Sequence, residues 1–260
     1  MHPTAIIHPE AVLGAEVQVG PFSIIERGVR IGARTRIEAH ALIARGANIG
    51  EDCRILQGAV VSNPPQDLKY RNEPSDVTIG DRTIIREYCT IHRGTEHGGL
   101  HTTVGSDCLL MAYSHVAHDC HIGNCVIIAN AVNMAGHVVI EDFASLGGVA
   151  VIHQFVRIGS YAFIGGLARV SQDVPPYVLA TGNPMKYYGP NAIGLKRRGF
   201  TAEQILTIKR TYLYIYRSKL NLTQAVEAIK NDMEMTPEVA AILKFIDKSE
   251  RGLIGRNVKE

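Results

Sequence analysis

Histidine is the residue type in this chain whose number and spacing indicate chemistry. Eight of the eleven histidines fall between His92 and His153. His118 is followed directly by Asp119, and an imidazole beside a carboxylate suits general-base catalysis because it titrates close to neutral pH. Gly136 carries no side chain to block the approach of a reacting carbonyl, so its backbone N–H can serve as an oxyanion donor. A base combined with an oxyanion donor indicates acyl transfer.

The elements that must position these residues follow a repeat of six. An aliphatic residue recurs at every sixth position in three runs, namely Ile7 to Val61, Ile79 to Ile91 and Val104 to Val170. A hexad holds a short strand and a turn, and its inward aliphatic side chain is buried only when successive coils stack. The low aromatic content of 6% and the absence of Trp fit a narrow aliphatic interior. We therefore predict a mainly β fold, a parallel β-helix of hexapeptide repeats.

If three hexads make one coil, residues 18 apart in the sequence stack at the strand spacing of about 4.8 Å. Spacing along the sequence therefore predicts which residues lie next to one another. Two corner loops interrupt the register, at residues 63–76 and 95–101. They leave the coils after Val61 and Ile91, which the register puts on the same face. The residues expected to converge beneath these loops are His92, His118, His137, His153 and Gln154.

The pattern changes after Pro175 and Pro176. Thr201 begins a capping-box sequence, Asn221 begins a second helix, and Thr236 followed by Pro237 begins a third. We expect a β-helix over residues 1–183 and a C-terminal α-helical domain over residues 184–260.

Composition excludes several classes of protein. A net charge of +2 is too small for a dedicated nucleic-acid binder, and no apolar run is long enough to span a membrane. The N-terminus lacks a leader pattern, and the five cysteines form no CxxC pair. We expect a protein of the cytoplasm with reduced thiols.

Clustered histidines are also used to bind zinc. His115, His118 and His121 have a suggestive spacing, but in a β-helix turn they span a corner and should point in different directions. A metal site is therefore the weaker interpretation.

Several motifs together resemble one family. They are the loop from Asn63 to Tyr70, the run Thr90–Thr95, the segment Ser114–Cys120, Ala135–His137, Val151–Phe155, Gln172–Tyr177 and Gly194–Phe200. They resemble the acyl-carrier-protein-dependent UDP-N-acetylglucosamine O-acyltransferases of lipid A and lipopolysaccharide biosynthesis. The resemblance implies a left-handed β-helix, a cytoplasmic homotrimer, and transfer of a 3-hydroxyacyl group to the sugar 3-position. No cofactor or metal is implied, since the acyl carrier protein thioester is a co-substrate.

The resemblance also implies roles for individual residues. His118 matches the general base and Gly136 the oxyanion donor, while Gly166 matches the position that limits acyl-chain length. The matches to substrate-binding positions are Asp67, Lys69, His92, His115, His137, His153, Gln154, Asn191, Arg197 and Arg198. Ile193 departs from the pattern, because better-known members carry Glu there. The basic side chains of Lys196, Arg197, Arg198, Lys209 and Arg210 would suit an acidic acyl carrier protein.

Other functions remain compatible with the sequence. A 3-amino sugar nucleotide as acceptor would give an amide, and a zinc-dependent hexapeptide carbonic anhydrase would need bound metal. An acetyl-CoA-dependent acetyltransferase has a different loop layout. The paralogous N-acyltransferase that acts later in the same pathway should have a further N-terminal domain, and the start of the hexads by Ala5 argues against it. An inert solenoid scaffold would tolerate replacement of His118.

Overall fold

A computed structural model describes residues 1–255 of the 260-residue chain. Short parallel strands wind into a left-handed parallel β-helix with three flat faces, and a helical segment follows. This confirms the predicted fold class.

Each face of the solenoid is one sheet. The strands of the first face are Ile6–Ile7, Ile24–Ile25, Leu42–Ile43, Val60–Asn63, Thr90–His92, His115–Val116, Asn133–Met134, Val151–Ile152 and Arg169–Val170. Those of the second face are Val12–Leu13, Arg30–Ile31, Ala47–Ile49, Asp76–Ile79, His101–Val104, His121–Ile122, Val139–Ile140 and Arg157–Ile158. Those of the third face are Gln18–Val19, Arg36–Ile37, Arg54–Ile55, Ile84–Ile85, Leu109–Leu110, Ile127–Ile128, Ser145–Leu146, Phe163–Ile164, Val178–Thr181 and Lys186–Pro190.

The hexad register explains the core. The aliphatic residue that ends each two-residue strand points inward, and Ile43, Ile55 and Ile128 are fully buried. The small residue two positions earlier, such as Ala41 or Cys53, is buried as well. Side chains of this size fill the narrow interior without voids, as native packing requires.

Both insertions leave the corner between the first and second faces, as the register predicts. After Asn63 the chain makes an excursion and rejoins the second face at Asp76. After His92 it makes a second excursion through a 3-10 turn at Glu96–Gly98 and rejoins at His101. We call these excursions the first loop and the second loop.

The solenoid ends in a hairpin that the sequence did not indicate. Val178–Thr181 continues the third face in parallel, and Lys186–Pro190 pairs with it antiparallel. The predicted boundary at residue 183 falls in the turn between these two strands, and the division into two domains stays a prediction.

Up to residue 255 four helices follow, α1 (Ala192–Arg197), α2 (Ala202–Tyr216), α3 (Leu222–Asp232) and α4 (Pro237–Asp247). The predicted caps are present, since Thr201 and Asn221 form capping boxes and the Thr236 hydroxyl accepts a hydrogen bond from the backbone N–H of Val239. The short α1 was not predicted.

The helical segment packs on the last coil. The Tyr212 hydroxyl of α2 donates a 2.6 Å hydrogen bond to the Pro176 carbonyl, and the buried Asp173 carboxylate accepts one from the Ser249 hydroxyl. None of the helices within residues 1–255 combines the length and apolar character needed to cross a membrane.

Candidate active site

The corner beneath the two loops brings together the histidines that the repeat predicted. His118, His137 and Phe155 belong to successive coils at this corner. The His118 and His137 rings meet edge to face with centroids 5.1 Å apart, and the His137 ring stacks on Phe155 at 4.5 Å. The stacking follows from the register, because Asp119, His137 and Phe155 share one turn position, each with a φ near +60°.

His118 is oriented by its sequence neighbour. Its Nδ1 lies 2.7 Å from Oδ2 of Asp119, a side chain that is only 1% exposed. Burial would raise the pKa of the Asp119 carboxyl, but hydrogen bonds from His118 and Thr95 outweigh burial and hold the pKa below its ordinary value. The carboxylate therefore stays ionised and fixes the tautomer that leaves Nε2 of His118 free to accept a proton.

Gly136 packs directly against this base. A Cβ atom built at Gly136 would lie 2.5 Å from Cε1 and 2.7 Å from Nε2 of His118. Only glycine allows this approach, because any side chain would overlap the imidazole ring. The Gly136 backbone N–H has no acceptor among residues 1–255. An N–H beside a general base is the arrangement that acyl transfer needs for its oxyanion.

A second pair of histidines lies on the first face. The His92 and His115 rings are 4.8 Å apart, and His115 Nδ1 pairs with the Thr90 hydroxyl at 2.7 Å. Burial lowers the pKa of His92 to about 4, helped by the positive charge of His115 and His118 when they are protonated. Burial likewise lowers the pKa of His115. Both imidazoles are therefore neutral at physiological pH.

The first loop brings Asp67 toward His137. Burial lowers the pKa of His137, and the carboxylates of Asp119 and Asp67 oppose this effect. Asp67 also accepts a 2.9 Å hydrogen bond from the backbone N–H of Lys69, whose side chain is exposed. His153 and Gln154 are exposed at the same corner.

The remaining predicted residues lie on other corners. Asn191 caps α1 and donates to the Tyr161 carbonyl, and the Arg198 guanidinium lies 5.0 Å from the Phe143 ring centroid. These contacts put Asn191 and Arg198, with the neighbouring exposed Arg197, at the corner between the second and third faces. Gly166 lies at the corner between the third and first faces. One chain alone does not bring them to His118.

A metal interpretation finds little support in this geometry. Ligand atoms of His118, Asp119 and His137 lie within 4.8 Å of one another. However, the Asp119 oxygens already accept hydrogen bonds from His118 and Thr95. His115 and His121 pair instead with Thr90 and Thr103, so the three histidines that suggested zinc do not converge.

Three partners at the corner were missed from the sequence. Thr90 and Phe155 stand in register with His115 and His137, so the repeat could have found them. Thr95 belongs to the second loop, where no repeat governs position, and no sequence signal indicates its contact with Asp119.

Comparisons with known proteins identify the family to which the chain is similar. Residues 173–254 match the family model for domain 2 of UDP-N-acetylglucosamine O-acyltransferase, and residues 10–45 and 101–136 match the bacterial transferase hexapeptide model. Over 253 residues the chain is 56% identical to an acyl-[acyl-carrier-protein]–UDP-N-acetylglucosamine O-acyltransferase of Chlorobaculum parvum, covering 97% of this chain and 96% of the relative. It is 47% identical to one of Thermodesulfovibrio yellowstonii, covering 97% and 98%. The crystal structure of the Francisella novicida UDP-N-acetylglucosamine acyltransferase superposes with a TM-score of 0.96 at 39% identity, covering 99% of this chain and 94% of that one.

Proposed function

The chain belongs to the acyl-[acyl-carrier-protein]–UDP-N-acetylglucosamine O-acyltransferase family, and we propose on that basis that it transfers a 3-hydroxyacyl group from acyl carrier protein to the glucosamine 3-hydroxyl of UDP-N-acetylglucosamine. This is the first step of lipid A biosynthesis. The observation that carries the proposal is the ionised Asp119 bonded to His118, with Gly136 packed against the same imidazole. Since the donor is acyl carrier protein, we also propose that the enzyme acts in the cytoplasm.

The chemistry follows from this geometry. Nε2 of His118 accepts the proton of the sugar 3-hydroxyl as its oxygen attacks the thioester carbon. The Gly136 N–H donates to the oxyanion of the tetrahedral intermediate. When the intermediate collapses, the carbon–sulfur bond breaks and the protonated His118 returns its proton to the leaving thiolate. Asp119 stabilises the imidazolium throughout and does not itself take up the proton.

Substrate-binding roles are part of the proposal. Asp67, His137 and Gln154 would contact the sugar nucleotide, which fits the position of Asp67 beside His137. The neutral imidazoles of His92 and His115 would offer hydrogen bonds without charge, and Lys69 and His153 would complete the pocket. We further propose that position 166 sets acyl-chain length and that Gly166, exposed beside the Gly148 backbone and without a side chain, leaves room for a long chain.

The nucleotide site requires a second chain. Asn191, Arg197 and Arg198 lie on a different corner from His118, so a neighbouring subunit must supply them if they bind the uridine diphosphate. We therefore propose a homotrimer with active sites shared between subunits. The guanidinium groups suit phosphate, and the exposed Lys209 and Arg210 on α2 would steer the acidic acyl carrier protein.

One feature favours a second acceptor. Ile193 is 69% exposed at the start of α1, two residues from Asn191. An apolar side chain there removes the carboxylate that other members present to the nucleotide. Acylation of a 3-amino sugar nucleotide is therefore the alternative function, with the same base and oxyanion donor.

The test is an assay of purified protein with 3-hydroxyacyl carrier proteins of several chain lengths and either sugar nucleotide, with products identified by mass spectrometry. His118→Ala should lower the rate by roughly 10²–10⁴-fold. His121→Ala is the matched control, because His121 is an exposed histidine on the second face that bonds Thr103. Absence of acylated product with both acceptors would refute the proposed function.

A further inference from the structure

The second loop closes over the carboxylate that orients His118. Thr95, only 2% exposed, makes two hydrogen bonds to Asp119. Its hydroxyl donates to Oδ2 at 2.6 Å and its backbone N–H donates to Oδ1 at 2.8 Å. Oδ2 is also the atom that contacts Nδ1 of His118. Thr95 and His118 therefore hold the same carboxylate oxygen from opposite elements of the corner.

The shape of the second loop serves this contact. The Thr95 carbonyl accepts from the N–H groups of Gly98 and Leu100, which curls the loop back on itself. Gly98 then lies so close to the Asp119 carboxylate that a Cβ atom on it would overlap the carboxyl group. On the other side, the Asp119 N–H donates to the Thr102 hydroxyl at 2.8 Å. The loop thus encloses Asp119 and leaves it 2% exposed.

We propose that Thr95 is a positioning residue for the transfer reaction, which locks the Asp119 carboxylate in the orientation that presents His118 to the acceptor hydroxyl. The second loop thereby holds the base in place through Thr95 and Asp119, and we call this arrangement the clamp. The inference rests on the proposed function for its kinetic consequences, but the clamp itself is a property of the free protein. Asp119 has a φ of +57°, the conformation that His137 and Phe155 share at the same turn position of the repeat. Thr95 donates to its carboxylate and Thr102 accepts from its N–H, which holds the residue in this turn.

The clamp also has an electrostatic effect. Each donor that the carboxylate accepts stabilises its charge and weakens its hold on a further proton. Loss of the Thr95 hydroxyl would make Asp119 a stronger partner for the imidazolium form of His118, so the acid limb of the pH profile should move to higher pH. The other titratable groups near this pair are His92, His115, His121, His137 and Asp67 at the corner, and Glu73, Glu96 and His97 on the two loops.

The experiment compares Thr95→Val, which keeps the shape and removes the hydroxyl, with Thr95→Ser, which keeps the hydroxyl. The valine variant should lose about tenfold in kcat, the effect of one hydrogen bond to a charged group, with KM for the sugar nucleotide unchanged. Its acid limb should shift to higher pH, and serine should restore both properties. Thr103→Val is the matched control, because its hydroxyl bonds His121 on the outer second face.

A substrate-free measurement separates the clamp from the proposed function. A proton shared between a histidine and a carboxylate gives a low-field proton NMR signal, which is assigned by its loss in His118→Ala. That signal should move in Thr95→Val and be retained in Thr95→Ser and Thr103→Val. If the wild-type protein transfers no acyl group, the proposed function is refuted. The NMR signal then tests by itself whether Thr95 holds the Asp119 carboxylate.

The proposal is overturned if Thr95→Val keeps the wild-type kcat, pH profile and NMR signal, or if serine is as impaired as valine. If the valine variant does not fold, Thr95→Cys takes its place, because a thiol is a weaker donor than a hydroxyl. A cysteine variant identical to wild type in all three properties would equally overturn the proposal.

Discussion

At the scale of single residues, burial divides the histidines of the active-site corner into two kinds. His118 is 14% exposed at its side chain and bonded to a carboxylate, so it can exchange a proton with substrate. His92 is buried, and the part of the chain that the structure describes offers no partner for its Nδ1. In the proposed mechanism the same residue type therefore serves as a base at His118 and as a neutral contact at His92.

Gly136→Ala tests the contact between Gly136 and the base. The methyl group would overlap the His118 ring, so the ring must rotate away from Asp119 or the coil must shift. We expect kcat to fall by at least about a hundredfold, within the range of losing a general base, while the melting temperature changes little. Ala135→Gly at the exposed neighbouring position is the control, and a Gly136→Ala enzyme with normal kcat would contradict the arrangement.

The lowered pKa of His92 predicts a pH-dependent stability. Because the pKa is about 4 in the folded protein against an ordinary 6.5, the unfolded chain binds a proton in this interval that the folded chain does not. The free energy of unfolding should therefore decrease as pH falls from 6.5 to about 4. His92→Phe cannot titrate, so its melting temperature, measured by calorimetry across this range, should fall less steeply than that of wild type. Parallel curves would contradict the assignment.

At the scale of elements, each loop depends on one buried anchor. For the first loop the anchor is Arg93, which is 5% exposed and whose guanidinium donates to the Tyr70 hydroxyl at 2.9 Å and to the Arg45 carbonyl at 2.9 Å. Tyr70 in turn donates to the Glu73 carbonyl. Arg93 directly follows the strand Thr90–His92, and Tyr70 belongs to the loop that carries Asp67, so this contact ties the first loop to the coils.

Tyr70→Phe should loosen the first loop without touching the base. We expect KM for the sugar nucleotide to rise by about three- to tenfold, the effect of one hydrogen bond of about 1 kcal/mol or slightly more, with kcat nearly unchanged. Tyr214→Phe is the control, since it loses an exposed hydroxyl bond to Asp232 on the helical segment. A fall in kcat with normal KM would show that the loop acts on the chemical step instead.

At the scale of the whole molecule, the solenoid distributes the predicted functional residues over three corners. His118 and Gly136 lie on one corner, Arg198 beside Phe143 on another, and Gly166 on the third. Because the solenoid is rigid, one chain cannot bring residues of different corners into contact. The proposed sharing of sites between subunits would use all of them.

Mixed oligomers test shared sites. His118→Ala and Arg198→Ala should each be inactive alone, because each lacks one half of every site. When the two are unfolded and refolded together in equal amounts, about a quarter of the sites should combine an intact His118 with an intact Arg198 from its neighbour. Activity would recover to roughly that fraction of wild type, and no recovery in verified mixed oligomers would contradict sharing.

The hexad repeat was enough to predict the stacked coils and the corner at which the histidines meet. Aliphatic residues recur at a period of six between Ile7 and Val170. Only stacked coils bury one such side chain per hexad, and the fixed register of the coils then aligns His118 with Gly136. Within such a repeat, sequence spacing determines which residues stack, so the positions of Thr90 and Phe155 could also have been predicted.

The contacts outside the hexad register could be found only in the folded chain. Four contacts involve segments outside the hexad repeat. They are the contact of Thr95 with Asp119, the Arg93 anchor of Tyr70, the hairpin of Val178–Thr181 with Lys186–Pro190, and the packing of Tyr212 on Pro176. Their conformation results from the sum of many weak contacts with a surface that exists only after the coils have formed. Local sequence carries no periodic signal for such contacts.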